Sequence, residues 1–183
     1  MGKHLLAALL LSTLVLDAFA DQSPFGIVHG PKAAFNIAAP EGWVIDNTAG
    51  ADDGLPCVLY RKGDTWKNAD PLMYAKIAST SYEDAEAFAK KAIGEMKKER
   101  GDYETKRVES GKTKTGQSYF INEYSPNEKY PRVERVGYVQ LPAAVAYIVY
   151  SGDSEAAFRT HQPALKQLLE SFSYLRVEGK QAK

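Results

Sequence analysis

The chain reads as short apolar runs bounded by Gly, Pro, Asn and Asp clusters, interrupted twice by segments of helical period. Ala34–Ala38 is the first strand candidate, closed by Pro40-Glu41-Gly42, and residues 43–46 continue as a short extended piece. Residues 57–61 and 72–79 are two further strands, joined by a polar loop that contains Trp66. In residues 82–101, Ala85, Phe88, Ala89, Ala92, Ile93 and Met96 recur three and four positions apart, the spacing of one helix face. Ser81 is placed to cap that helix, with Glu83 and Asp84 in its first turn and Gly101 ending it. Four strands follow, over 103–109, 117–124, 133–141 and 144–150. Their short connections imply an antiparallel meander. The last is apolar on both faces, with Val145, Tyr147 and Val149 on one and Ala146, Ile148 and Tyr150 on the other. A strand with two apolar faces belongs in the middle of a sheet that is covered twice. A second helical region begins at Asp153 as cap and carries Phe158, His161, Leu165, Leu168, Leu169 and Phe172 on one face. Pro163 must kink or split it, because it removes an amide donor and crowds the preceding turn.

The start of the chain follows different rules. Lys3 and His4 precede an apolar run, Leu5–Leu16, broken only by Ser12 and Thr13, and Ala18-Phe19-Ala20 supplies small residues at a cleavage site. This is the pattern of a secretory signal peptide, and it is shorter than the ~20 residues a spanning helix takes. Cleavage after Ala20 leaves an extended arm over 21–33, a single domain over 34–175 and a polar tail over 176–183, in the periplasm or secreted.

Lys+Arg and Asp+Glu number 23 each in 183 residues, and the apolar content is 44%. That balance argues against disorder and against nucleic-acid binding through a basic surface. Cys57 is the only cysteine, so no bridge can form within the chain. It sits in an apolar strand, where a thiol behaves as a small hydrophobe.

The sequence lacks the motifs of nucleotide, hydrolase and zinc sites: no Walker loop, no Gly-x-Gly-x-x-Gly, no Gly-x-Ser-x-Gly, no His-Glu-x-x-His. No catalytic residue, cofactor or metal is assigned. His161 has two readings, a ligand or proton carrier, or an imidazole bonded to a carbonyl that Pro163 frees. A Cys57–His161 pair has no motif behind it. The acidic loop 46–54 offers oxygen ligands without the spacing of a calcium loop. The candidate contact residues are Trp66, in its polar loop, and the meander cluster Tyr119, Tyr124, Tyr130, Arg132, Arg135 and Tyr138. Trp, Tyr and Arg dominate interface hot spots. Trp66 alternatively folds back over the sheet edge, and the cluster alternatively reflects the preference of strands for aromatics.

Three segments together resemble the PsbP-like fold family. They are Phe35-Asn36-Ile37-Ala38-Ala39-Pro40-Glu41-Gly42-Trp43, Tyr147-Ile148-Val149-Tyr150-Ser151-Gly152, and Phe158 with Leu168-Leu169-Glu170-Ser171-Phe172. The resemblance implies an α+β fold, an antiparallel sheet sandwiched between helices, and a non-enzymatic protein that binds or helps assemble a larger partner. The expectation is an exported, non-catalytic adaptor of the cell envelope that contacts an envelope protein, with neither nucleic acid nor membrane insertion. Two alternatives stand beside it: a small-ligand or lipid-binding protein with a pocket between helix and sheet, and an enzyme that uses His161.

Overall fold

The computed structural model of the chain describes residues 24–79 and 82–175. The segment read as a signal peptide, Ser81 and the tail from residue 176 lie outside these residues. The elements run β1 (Phe25–His29), β2 (Ala34–Ala38), β3 (Trp43–Asp46), β4 (Val58–Arg61), β5 (Leu72–Ile77), α1 (Ala85–Arg100), β6 (Thr105–Lys112), β7 (Ser118–Tyr124), β8 (Val133–Gln140), β9 (Val145–Gly152), α2 (Glu155–His161), α3 (Pro163–Ser171) and β10 (Ser173–Leu175). Among them no helix is long and apolar enough to cross a membrane.

Seven strands form an antiparallel sheet in the order β3-β4-β5-β9-β8-β7-β6. The doubly apolar strand β9 is its centre, as its composition requires. One face carries Met73, Ala75, Ile148 and Tyr150, and packs against Leu165, Leu168, Leu169 and Phe172 of the C-terminal helices and against β1 and β2. The other carries Val136, Tyr138, Val145 and Val149 beneath α1. The result is an α+β sandwich with helices on both sides of the sheet.

The structure adds a layer that periodicity did not reveal. β2 does not join the main sheet: it pairs with β1 on one side and β10 on the other. Part of the expected N-terminal arm is therefore a strand, with Gly26 and Val28 inward and Phe25, Ile27 and His29 outward. Gly26 lets β1 approach the main sheet, since a Cβ there would sit 2.5 Å from Ile45 and 3.0 Å from the Cys57 sulfur. Phe35 of β2 stacks on Phe172 at 4.3 Å between ring centroids, which ties the small sheet to the end of α3.

Two helix starts differ from expectation. Asp84, not Ser81, caps α1, and its carboxylate accepts from the Ala87 amide at 2.7 Å. Ser154, not Asp153, caps α2. Asp153 instead takes the Arg132 guanidinium, and its amide joins that of Ser154 in donating to Asp70. In both cases the cap is the residue immediately before the first helical one, and its side-chain oxygen accepts from the third helical amide. Pro163 splits the second helical region as expected and stands in the first turn of α3, where its missing N–H costs nothing. Gly94 faces open space, and nothing in the structure explains it.

α3 lies so close to β8 that a Cβ on Gly137 would come within 2.6 Å of Leu169. Leu169 is fully buried and has little room to yield. Gly137→Ala is expected to destabilise the fold by about 1–3 kcal/mol, read as a lower urea midpoint with unchanged slope.

Candidate functional site

The seven residues singled out from the sequence part company in the structure. Tyr119, Tyr124 and Tyr138 are core residues, each less than 5% exposed, and cannot supply a contact surface. Strand alternation explains this: β7 and β8 are covered on both faces, so their aromatics point into packed layers. Tyr124 and Tyr138 share a hydrogen bond at 2.6 Å under α1. Tyr119 faces the other layer, over Gly111. Arg135 is also on that other layer, where it and Arg159 both reach Glu123, at 2.7 and 2.8 Å.

The remaining three converge. Trp66, Tyr130 and Arg132 line one open groove of about 260 Å³, on the α1 side of the sheet and beyond the C-terminal end of α1. Leu55, Arg100, Glu134, Ser151 and, from β5, Leu72 and Tyr74 complete it.

Each wall has a local cause. Trp66 is half-buried: it folds back onto the small cluster of Val44, Val58, Tyr60 and Ala69, and its indole N–H donates to Asp53 at 2.8 Å. Asn68 holds the loop by accepting from the Thr65 amide and hydroxyl. Across the groove, Asn127 fixes the β7–β8 connection. Its amide donates to the carbonyls of Arg100 and Asp102, while its oxygen accepts from the amides of Lys129 and Tyr130. The Asn side chain thus caps the end of α1 and sets Tyr130 beside it. The Arg100 guanidinium then lies 3.8 Å from the centre of the Tyr130 ring.

Glu134 organises the floor. It is 6% exposed, takes Arg100 at 2.7 Å and accepts from the Tyr130 hydroxyl at 2.7 Å. Burial and the nearby Glu134 charge push the Tyr130 hydroxyl up to about 12, so it stays a donor at neutral pH. Arg132 donates through Nε to Ser151 and through Nη1 to Asp153, both at 2.9 Å. Its Nη2 is buried and has no hydrogen-bond partner among the described residues. An unsatisfied guanidinium nitrogen is costly unless an acceptor arrives.

Arg100, Glu134 and Tyr74 were not singled out from the sequence. Glu134 had a readable signal: it shares the parity of Val136 and Tyr138, so it is an acid on an inward-facing position. Arg100 looked like an ordinary basic residue at a helix C-terminus.

The other chemical candidates separate as well. Cys57 is fully buried, and burial followed by the Asp46 charge pushes its thiol up to about 12, the reverse of an activated nucleophile. His161 does not bond the carbonyl expected of it. Its Nε2 meets the Arg61 guanidinium, and burial together with that charge lowers its pKa. Asp46 is occupied by its own turn. Burial alone would raise its carboxyl, but the Ala49 and Thr48 amides and the Thr48 and Tyr60 hydroxyls outweigh that and hold it low. Among the described residues, no three His, Cys, Asp or Glu side chains gather as metal ligands do.

No family model matches the chain, and no curated protein matches it. Among solved structures it is similar to the solution structure of cyanobacterial PsbP (CyanoP) from Synechocystis sp. PCC 6803, with a TM-score of 0.51 and 16% identity over 77% of this chain and 86% of that one. The chain has a PsbP-like fold. A crystal structure of a protein of unknown function from Pseudomonas aeruginosa is 17% identical over 90% of this chain and 89% of that one, at a TM-score of 0.33.

The Glu123 cluster sets an acid limit to stability. Burial would raise the Glu123 carboxyl, but Arg159 and Arg135 hold it below its ordinary 4.5. A carboxylate with a lowered folded pKa stabilises above its unfolded value and loses that contribution as pH falls through the folded one. The stability gap between the native chain and Glu123→Gln is expected to be about 1–2 kcal/mol at neutral pH, and to close as the pH drops below about 4.5. Urea titrations across that range measure it.

Proposed function

We propose that the chain is an exported, non-catalytic binding protein of the cell envelope, and that its contact site is the groove between the Trp66 loop and the Tyr130–Arg132 segment. The observation that carries this reading is the meeting of Trp66, Tyr130 and Arg132 at one open concavity, with a buried guanidinium nitrogen still lacking an acceptor. Two aromatic walls supply rigid apolar area at low entropic cost, and the arginine supplies direction. The partner that fits is a segment of an envelope protein that lays an apolar side chain against Trp66 and Tyr130 and brings a carbonyl or carboxylate oxygen to Arg132. Export rests on the N-terminal pattern of residues 1–20.

The test is gentle cross-linking of residues 21–183 in its own exported fraction, followed by native mass spectrometry. The native chain is expected to carry a reproducible protein adduct. Trp66→Ala and Arg132→Gln are each expected to lose it, and Lys98→Gln, on the exposed side of α1, to keep it. Because Trp66 covers part of a core cluster, its truncation also costs about 1–2 kcal/mol, so capture is compared well below the melting point. An adduct that survives both groove substitutions overturns the assignment.

A further inference from the structure

The apolar stripe of α1 does not close on the sheet. Only Ala85 and Ala89 are buried, while Phe88, Ala92 and Met96 of the same stripe stay half-exposed. Beneath that flank lies a cavity of about 320 Å³. It is a cleft half open to solvent, not a sealed void. It has the size of a small-ligand pocket at its lower range.

Its chemistry is specific. The floor includes Tyr74 of β5 and Tyr147 of β9, two positions apart in the register of the paired strands, and Tyr82 stands at one end. Elsewhere, the hydroxyls of Tyr60, Tyr103, Tyr130, Tyr138 and Tyr150 each have a hydrogen-bond partner. The hydroxyls of Tyr74, Tyr82 and Tyr147 have none among the described residues. These hydroxyls line the cavity without being sealed from solvent, so a bound molecule can take the place of water as their partner. The cavity offers an anion little. Arg100 is committed to Glu134 and to the Tyr130 ring, and Glu95 and Glu99 stand at the rim. Burial, followed by the Glu134 charge at Tyr74 and by Tyr82 at Tyr147, raises both hydroxyls above their ordinary value, so at neutral pH they are donors.

We infer that this cavity is a binding site for an uncharged, flat, ring-containing molecule bearing a carbonyl oxygen. The ring lies between the Phe88–Met96 flank of α1 and the sheet, and the carbonyl accepts from the Tyr74 or Tyr147 hydroxyl. The site goes beyond the protein-binding groove, with which it shares the walls Tyr74, Arg100 and Glu134.

The experiment is calorimetric titration of residues 21–183 with three probes: α-tetralone, its carbonyl-free counterpart tetralin, and the anion naphthoate. The expected result is saturable one-to-one binding of α-tetralone, with tetralin about tenfold weaker, the worth of one hydrogen bond, and naphthoate weaker still. Replacing both hydroxyls, Tyr74→Phe with Tyr147→Phe, is expected to bring α-tetralone down to the level of tetralin and leave tetralin unchanged. Ala92→Trp fills the cavity and is expected to abolish binding of both. If α-tetralone does not bind, or binds no better than tetralin, the pocket or its carbonyl preference is overturned. Tightest binding of naphthoate overturns the uncharged class. The phenylalanine pair keeps every ring in place, so its result stands even if Ala92→Trp fails to fold. None of the probes reports on protein capture, so failure here leaves the groove reading intact, and the reverse holds.

Discussion

The double burial of β9 is the constraint from which the rest of the structure follows. Its eight residues are covered on both faces, apart from a half-exposed Tyr147. A strand with no polar face can exist only if two separate layers are placed on it, and the chain must supply both. The C-terminal helices and the small sheet make one layer. They are dense: Tyr150, Phe158 and Phe172 are completely buried there, and Tyr150 donates to the Phe158 carbonyl at 2.7 Å. The other layer has a single helix, α1, with only the Trp66 loop beside it, set over a sheet seven strands wide. It cannot cover that width, and the shortfall is where the molecule becomes interesting chemically.

The two faces therefore divide the work. On the dense face, charge is used at the margin, as in the Glu123–Arg135–Arg159 cluster and the Lys166–Glu109 pair. On the face under α1, polar groups enter the interior. Glu134 is an acid amid aromatics, and it persists there because Arg100 and the Tyr130 hydroxyl satisfy both of its oxygens. The same helix end is fastened once more by Asn127, which donates to the Arg100 carbonyl, and the opposite end by Arg107, which reaches across from β6 to Glu86 with both terminal nitrogens. Helix α1 is held by polar ties at both ends and by apolar contacts along one flank, from Ala85, Phe88 and Ala89, which leaves room beneath the other.

Much of this architecture was legible in the chain. The two-sided apolar pattern of residues 145–150 placed the central strand. The helical stripe from Ala85 to Met96 placed α1. Pro163 placed the break between α2 and α3. What escaped was non-local. β1 has Gly26 and Val28 as its inward residues, too short a pattern to read, and its strand status comes from pairing with β2. β10 is three residues long and owes its existence to the same neighbour. The site was legible in part. Trp66, Tyr130 and Arg132 were recognisable by residue type. Tyr119, Tyr124 and Tyr138 have the same chemistry yet are interior, because parity and layer coverage, not composition, decide which aromatic meets solvent. Arg100 and Tyr74 gain their place only when α1 crosses the sheet.

Cys57 lies at the meeting point of both sheets, with β1 passing so near that only a glycine fits above its sulfur. A reagent that reacts with thiols cannot touch it while β1 remains docked. With reagent in such excess that labelling outpaces reclosing, the rate at which the thiol is consumed is therefore the rate at which the small sheet lifts away from the large one. A chain with one cysteine, placed there, carries its own clock for the opening of its core.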